Sequence, residues 1–261
     1  MIKNIWSYRF FIFSSIKTEF KSRFARSKLG GFWMVLHPLA QVLVYALILS
    51  QIMKAKLPEV DSQYAYPIYI LSGIVGWTLF TEIVNRLLTV FIENGNLLKK
   101  MVFPKLALPL IVIGSSFINF ATLFVMMYVV FGFLGHMPFH AIYWMPLLVF
   151  ITIALAVGIG LFFGVINVFI RDVGQVMNII LQFWFWLTPI VYMSSIVPQK
   201  YHWLIMLNPL TGIVMGYQNV LLYDKAPYLR LLIYPSIIAM VFLALAFFVY
   251  SKANEDMVDV L

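Results

Sequence analysis

The chain has 261 residues, of which 63% are hydrophobic, 17% aromatic and 11% charged, with a formal net charge of +8 and a mean hydropathy of +0.94. So apolar a composition leaves no surface for a water-soluble globule, and the absence of cysteine removes disulfides, thiol nucleophiles and zinc–thiolate sites. No G-x-x-x-x-G-K-[ST] loop occurs, so the chain offers no such cradle for a nucleotide.

From the N terminus, residues 4–28 place Ile5, Ile12, Phe13, Ile16, Phe20 and Phe24 on one arc of a helical period, bordered by Lys17, Lys21 and Lys28. The pattern predicts an interface helix within 1–30, lying in the headgroup plane with its bases toward anionic lipid or a partner. The stretch has neither an h-region nor a small-residue cleavage site, so it does not read as a signal peptide. Six apolar runs follow, at 33–53, 66–92, 106–133, 143–170, 176–195 and 228–250. Each reaches the roughly 20 residues with which a helix crosses about 30 Å of hydrocarbon. The expected fold is an all-α membrane protein, its six spans filling 33–250 of a single domain 1–261.

Between the last two runs the connection stays apolar through Ile205, Met206, Leu207, Leu210, Ile213, Val214 and Met215, and Asn208-Pro209 cuts it into pieces too short to span. A re-entrant pair of short helices satisfies both facts; an amphipathic surface loop is the simpler alternative. Lys3, Arg9, Lys17, Lys21, Arg23, Arg26, Lys28, Lys99, Lys100, Lys105, Arg171 and Lys252 fall on one side of this scheme, and Lys54, Lys56, Lys200 and Lys225 on the other. The positive-inside rule then puts both termini, including the tail 251–261, in the cytoplasm. It accounts for the net charge without nucleic acid.

Several segments carry candidate roles. The loop 93–105, ENGNLLKKMVFPK, mixes Glu93, Leu97, Leu98, Lys99 and Lys100 around an Asn94-Gly95 turn. Such a mixture suits docking on a soluble partner, while a plain basic loop on lipid phosphates is the alternative. Arg171 sits at the negative end of the fourth span, and Asp172 is placed to cap the fifth; together they make a second, weaker docking point. Inside the second span, Glu82 and Arg86 are four apart and either neutralise each other or leave Arg86 to meet an anion such as a phosphate. The spans hold few other ionisable groups, which argues against proton- or sodium-coupled transport.

Phe183-Trp184-Phe185-Trp186 surrounds the fifth helix with rings. With Tyr45, Trp77, Phe80 and Tyr192 these rings suit the apolar C–H faces of sugars in a conduit; an interfacial aromatic belt is the alternative. His136 and His140 have metal-like spacing, but Pro138 breaks the helix between them and no carboxylate is near in sequence, so no metal is expected. With paired carboxylates, a Ser-His-Asp set and a nucleophile elbow all missing, no catalysis is expected.

Phe24-Ala-Arg-Ser-Lys-Leu-Gly30 followed by Trp33, Leu36 and Pro38 resembles the approach to the first span of the ABC-2-type polysaccharide export permeases. Ser72-Gly73-Ile74 with Trp77 and Phe80, Asn94 to Lys100 with Phe103-Pro104, Asn167-Val168 with Arg171-Asp172, Thr188-Pro189-Ile190 with Tyr192, and Asn208-Pro209 continue the resemblance in order. It covers essentially the whole chain and is strongest toward the O-antigen exporters among the O-antigen, capsule and teichoic-acid branches.

The resemblance implies a homodimeric inner-membrane permease with two copies of a separate cytoplasmic ATPase. That partner would bind Mg-ATP, and this chain would hold no cofactor. The implied cargo is an undecaprenyl diphosphate-linked glycan. Glu93, Leu97, Leu98, Lys99, Lys100, Arg171 and Asp172 would couple to the ATPase, and Asn208 and Pro209 would form an outer gate. Arg23, Arg26, Lys28 and Arg86 would meet the carrier diphosphate. A drug or small-lipid exporter of the same architecture is the alternative, and a membrane transferase a more distant one.

Overall fold

The computed structural model describes residues 8–23, single positions between 32 and 44, and residues 64–100, 105–253 and 256–260. Among them every regular element is helical, and four helices are long and apolar enough to cross a membrane. The first expected span, 33–53, and with it Tyr45, falls largely outside the described residues.

In chain order the helices are α1 (Arg9–Arg23), α2 (Ala65–Glu93), α3 (Gly95–Lys100), α4 (Ala107–Phe133), α5 (Met145–Phe169), α6 (Asp172–Leu187), α7 (His202–Met206), α8 (Pro209–Leu221), α9 (Leu229–Ala253) and α10 (Met257–Val260). The four candidate spans are α2, α4, α5 with the 3₁₀ turn that precedes it, and α9. Their ends match the apolar runs closely, because a continuous apolar helix stops only where turn residues arrive. After α4, for example, Gly135 adopts φ 74° and the His136 N–H donates to the Phe131 carbonyl, closing the last turn.

The central helix is α2, buried along most of its length against α5, α4 and α8. α5 lies between α2 and α9, and glycines set how closely it approaches each. A Cβ at Gly164 would strike the Leu87 carbonyl of α2, and one at Gly158 would lie 2.9 Å from the Leu243 backbone nitrogen of α9. Lipid tails are as apolar as the helices, so association rests on this close van der Waals fit.

Expectations for α6 and α1 change. The fifth run forms α6 over Asp172–Leu187, 16 residues or about 24 Å, instead of 176–195. Pro189 has no N–H for the helical ladder and holds Thr188 extended at ψ 134°, so the helix stops there. Asp172 is the first residue of this helix, with Arg171 in the cap position and no side-chain bond, so Asp172 is not the cap.

The second change concerns α1. Ile16 is buried on α4, where its δ-methyl fills the space a Cβ at Gly114 would need, but Phe10 and Phe13 are exposed. The stripe facing the bundle therefore runs through Ile12, Ile16, Glu19 and Phe20 and leaves Phe13 outside.

In the connection before the last span it is the surface-loop alternative that fails. The connection does split at Asn208-Pro209, with Pro209 opening α8 and the Asn208 Oδ1 accepting the Leu210 N–H at 2.9 Å. But α8 is no surface helix. Leu210, Ile213, Val214, Tyr217, Val220 and Leu221 are buried, and the helix packs on α2, α9 and α5.

Candidate functional site

A polar stripe runs along a partly exposed face of α2: Thr78, Thr81, Glu82, Asn85, Arg86, Thr89 and Glu93. Spacings of three and four residues keep these side chains on one side of the helix. Near its middle the stripe meets α1 and α4. Arg86 Nη2 donates to both carboxylate oxygens of Glu19, at 2.8 and 2.9 Å, and Arg86 Nη1 donates to Ser115 Oγ at 2.6 Å. Glu82 Oε1 stands 3.7 Å from Arg86 Nη1 and accepts a hydrogen bond from Asn119 Nδ2. Beside this cluster opens a groove of about 650 Å³, lined by Ser14, Thr18, Glu19, Asn85, Arg86 and Glu93 among others.

Arg86 thus finds its main partner 67 positions away, because a carboxylate facing the guanidinium gives shorter charge-assisted bonds than the i,i+4 neighbour. Glu19 lies outside the expected set. The one local signal for it is that it is the only acid among the bases of residues 1–28. Of the other expected diphosphate contacts, Arg23 ends α1 with its side chain outside the description, and Arg26 and Lys28 lie outside the described residues.

The expected aromatic lining divides. Trp77, Phe80, Trp184 and Phe185 form one cluster between α2 and α6, with ring centroids 5.4 Å apart for Trp77–Phe185 and 5.6 Å for Phe80–Trp184. Phe80 is fully buried, so it backs a wall and cannot line one; the rings of Trp77 and Trp184 cover it. Trp77 and Trp184 are half-buried, while Phe183 and Trp186 are exposed at 67% and 62%. Tyr192 is half-buried, and its carbonyl lies 3.0 Å from the Tyr69 hydroxyl. The Trp184 indole N–H donates to Asn208 Oδ1 at 2.7 Å, and Asn208 Nδ2 donates to Thr188 Oγ1 at 2.8 Å. The aromatic cluster and the Asn208-Pro209 break are one bonded unit.

At the far end of α2, the Asn94 side chain donates to the Val90 carbonyl as the chain turns into α3. Leu98 is buried and Leu97 half-buried against the core, whereas Glu93, Asn96 and Lys99 are exposed. Leu98 therefore leaves the expected docking surface: a one-turn helix laid on a bundle buries its apolar side first. The Lys100 side chain lies outside the description. Arg171 and Asp172 are exposed at the corner between α5 and α6. Buried Asn167 fixes that corner, donating to the Leu88 carbonyl at 2.8 Å and accepting the Gly174 N–H at 2.8 Å. Leu88 lies in the last turns of α2, so this corner and α3 share one end of the bundle.

At the other end, a carboxylate does lie beside the histidine pair, brought there from 84 positions away. Asp224 Oδ2 is 2.7 Å from His140 Nδ1, and its carboxylate accepts the backbone N–H groups of Ala141 at 2.7 Å and His140 at 3.2 Å. Burial pushes the Asp224 carboxyl up, but the hydrogen bonds from the His140 ring and from the two backbone N–H groups outweigh it, so the net shift is downward. The His136 ring faces the Leu221 carbonyl at 2.8 Å and so donates there. Among the described residues no three His, Cys, Asp or Glu side chains cluster to hold a metal.

The model of the ABC-2 type transporter family matches residues 11–222. The chain is 26% identical over 211 residues to the O-antigen export system permease protein RfbA of Klebsiella pneumoniae, which covers 80% of this chain and 79% of that one. It is 25% identical over 261 residues to the protein of the same name from Myxococcus xanthus, covering 99% and 98%. To the polysialic acid transport protein KpsM of Escherichia coli it is 24% identical over 197 residues, 75% of each chain.

Proposed function

We propose that this chain, which belongs to the ABC-2 type transporter family, exports an undecaprenyl diphosphate-linked glycan as the membrane subunit of an ATP-driven exporter. Membership makes it a permease subunit without a catalytic site of its own, working with a separate ATPase. The relatives named for O-antigen export and polysialic acid transport support a polysaccharide cargo. The observation that carries the reading is the polar stripe of α2. Glu19, Ser115 and Asn119 cover the middle of the stripe, while exposed Asn85 and half-buried Thr78 and Thr89 would be costly against lipid and are at home beside water or a hydroxylated cargo.

On this reading 33–53 supplies the first of six spans, and α6 with the turns that follow Pro189 supplies the fifth. Both termini face the cytoplasm of a bacterial inner membrane, by the distribution of Lys and Arg. Two copies of the chain pair with two ATPase subunits, which bind the Mg-ATP. Glu93, Lys99, Lys100, Arg171 and Asp172 form the coupling surface, and Arg23, Arg26 and Lys28 receive the carrier diphosphate at the cytoplasmic entrance. α7 and α8 form a re-entrant outer gate hinged at Asn208-Pro209. Trp77, Trp184, Trp186, Phe183, Tyr192 and Tyr45 offer ring faces to the sugars.

Deleting the gene and tracing undecaprenyl-linked glycan tests the reading. Intracellular build-up with loss from the cell surface, restored by the wild-type chain, is the expected result. Unchanged surface glycan without build-up would replace it with the small-cargo exporter.

A further inference from the structure

A second cavity, of about 390 Å³, lies at the end of the bundle opposite α3. Tyr69, from the first turns of α2, stands some 36 Å along that helix from Glu93. The cavity wall also includes Ser194, Gln218, Asn219, Tyr223 and Lys225. Among the described residues its lining offers tyrosine rings, two carboxamides, serine hydroxyls, two methionines and the Lys225 ammonium.

Both walls are held in place. At the back, the Tyr69 hydroxyl is placed to donate to the carbonyls of Tyr192 at 3.0 Å and Pro189 at 3.2 Å, and Gln218 Nε2 donates to the Pro189 carbonyl at 3.0 Å. These bonds pin the residues after α6 onto α2 and α8. At the front, the Lys225 N–H donates to the Asn219 carbonyl at 3.0 Å, and Asp224 sits at φ 48°, a conformation that Asp tolerates better than most residues. The Asp224 carboxylate is turned away to bind the 140–141 backbone, which fixes Tyr223 and Lys225 at the rim before any ligand arrives. Preorganisation of this kind lowers the ordering cost of binding.

A pyranose ring fits these groups. Its C–H face stacks on a tyrosine, and its hydroxyls both donate and accept, as carboxamides and serines do. The volume is at the small end of the roughly 300–1,000 Å³ typical of ligand sites, enough for a sugar unit and too small for a chain. The Lys225 ammonium disfavours a cationic ligand. Resting on the glycan-export reading, we infer that this cavity is a saccharide subsite that holds one sugar residue of the emerging glycan.

The test is saturation-transfer NMR on the full permease–ATPase complex in lipid nanodiscs, with N-acetylglucosamine and glucuronic acid as probes at millimolar concentration. Both sugars should show saturated ring protons. Asn219→Ala and Tyr223→Ala should weaken binding by up to about tenfold, the scale of one lost hydrogen bond or ring contact. Thermal unfolding midpoints equal to wild type establish that the variants fold; a variant that does not fold is replaced by Asn219→Asp or Tyr223→Leu. No saturation in the wild type, or saturation that all these variants leave unchanged, would overturn the subsite. Surface glycan in the same strains separates the two readings: absent binding with export intact removes the subsite alone, whereas the gene deletion decides export itself.

Discussion

The indole N–H of Trp184 and the carboxamide oxygen of Asn208 meet at 2.7 Å, so the last turn of α6 is tied to the residue that opens α8. Trp184→Phe keeps a smaller ring and removes the donor, and should cost about 1–3 kcal/mol from the lost bond and lost packing together. Asn208→Ala loses the helix cap as well and should cost about 1–2 kcal/mol. Thermal unfolding in nanodiscs measures both. The double variant should cost less than the sum, since the two changes share one bond; strict additivity would show that the contact contributes nothing.

Arg86 and Glu19 hold α1 onto the bundle. Arg86→Met removes the guanidinium that bonds both oxygens of the half-buried Glu19 carboxylate, and α1 should detach. Hydrogen exchange should rise across Arg9–Arg23 while α2 stays protected. Glu19→Gln in the Arg86→Met background should restore part of the protection, because Glu19 then buries no charge while Glu82 still lacks its cation. Unaltered exchange in Arg86→Met would mean that Ile16 alone holds the helix.

Two glycines should respond differently. A methyl at Gly164 meets the Leu87 backbone carbonyl, which cannot step aside, whereas one at Gly114 meets only the flexible end of Ile16. Gly164→Ala should abolish recovery of monodisperse protein from detergent, and Gly114→Ala should leave it intact with a looser α1. Equal behaviour in size-exclusion profiles would contradict the close crossing of α2 and α5.

The Asp224 clamp carries a pH signature. Its carboxyl is lowered in the folded chain, so its contribution is present above the ordinary carboxylate value of about 3.9. That contribution disappears only as pH falls through the folded value below it. Amide exchange at His140 and Ala141, corrected for the intrinsic rate, should be flat from neutral pH to about 5 and should climb in stronger acid. Asp224→Asn should flatten the profile throughout; an acid-induced rise that persisted there would assign it to another group.

Coupling is tested on the exposed side of α3. Lys99→Glu should reduce co-purification of the ATPase severalfold while membrane insertion is unchanged, whereas Leu98→Ala should act through stability, since that side chain faces the core. Full ATPase recovery with Lys99→Glu would remove this face from the interface.

Much of the scaffold can be read from the residues, for physical reasons that differ by element. The ends of α2, α4, α5 and α9 follow from unbroken apolar runs, because lipid demands a complete backbone ladder. The end of α6 does not follow, since Thr188-Pro189 interrupts the backbone without interrupting the hydropathy. Nor does the inward face of Leu98: a single helical turn has no period to read. Pairings over long separations are also hidden, and both Arg86–Glu19 and His140–Asp224 join residues that no local pattern connects. Phe80 shows the limit for aromatics, as a ring that lines a path and a ring that backs it share one composition.

The most direct measurement of the central claim is transport in proteoliposomes that contain this permease and its ATPase, with fluorescent undecaprenyl diphosphate-linked glycan in the outer leaflet. Adding Mg-ATP outside reaches only complexes whose ATPase faces outward, and should move the glycan to the lumen, where an added external glycosidase no longer cleaves it. Full cleavage after ATP hydrolysis, with a labelled small lipid protected instead, would contradict the account.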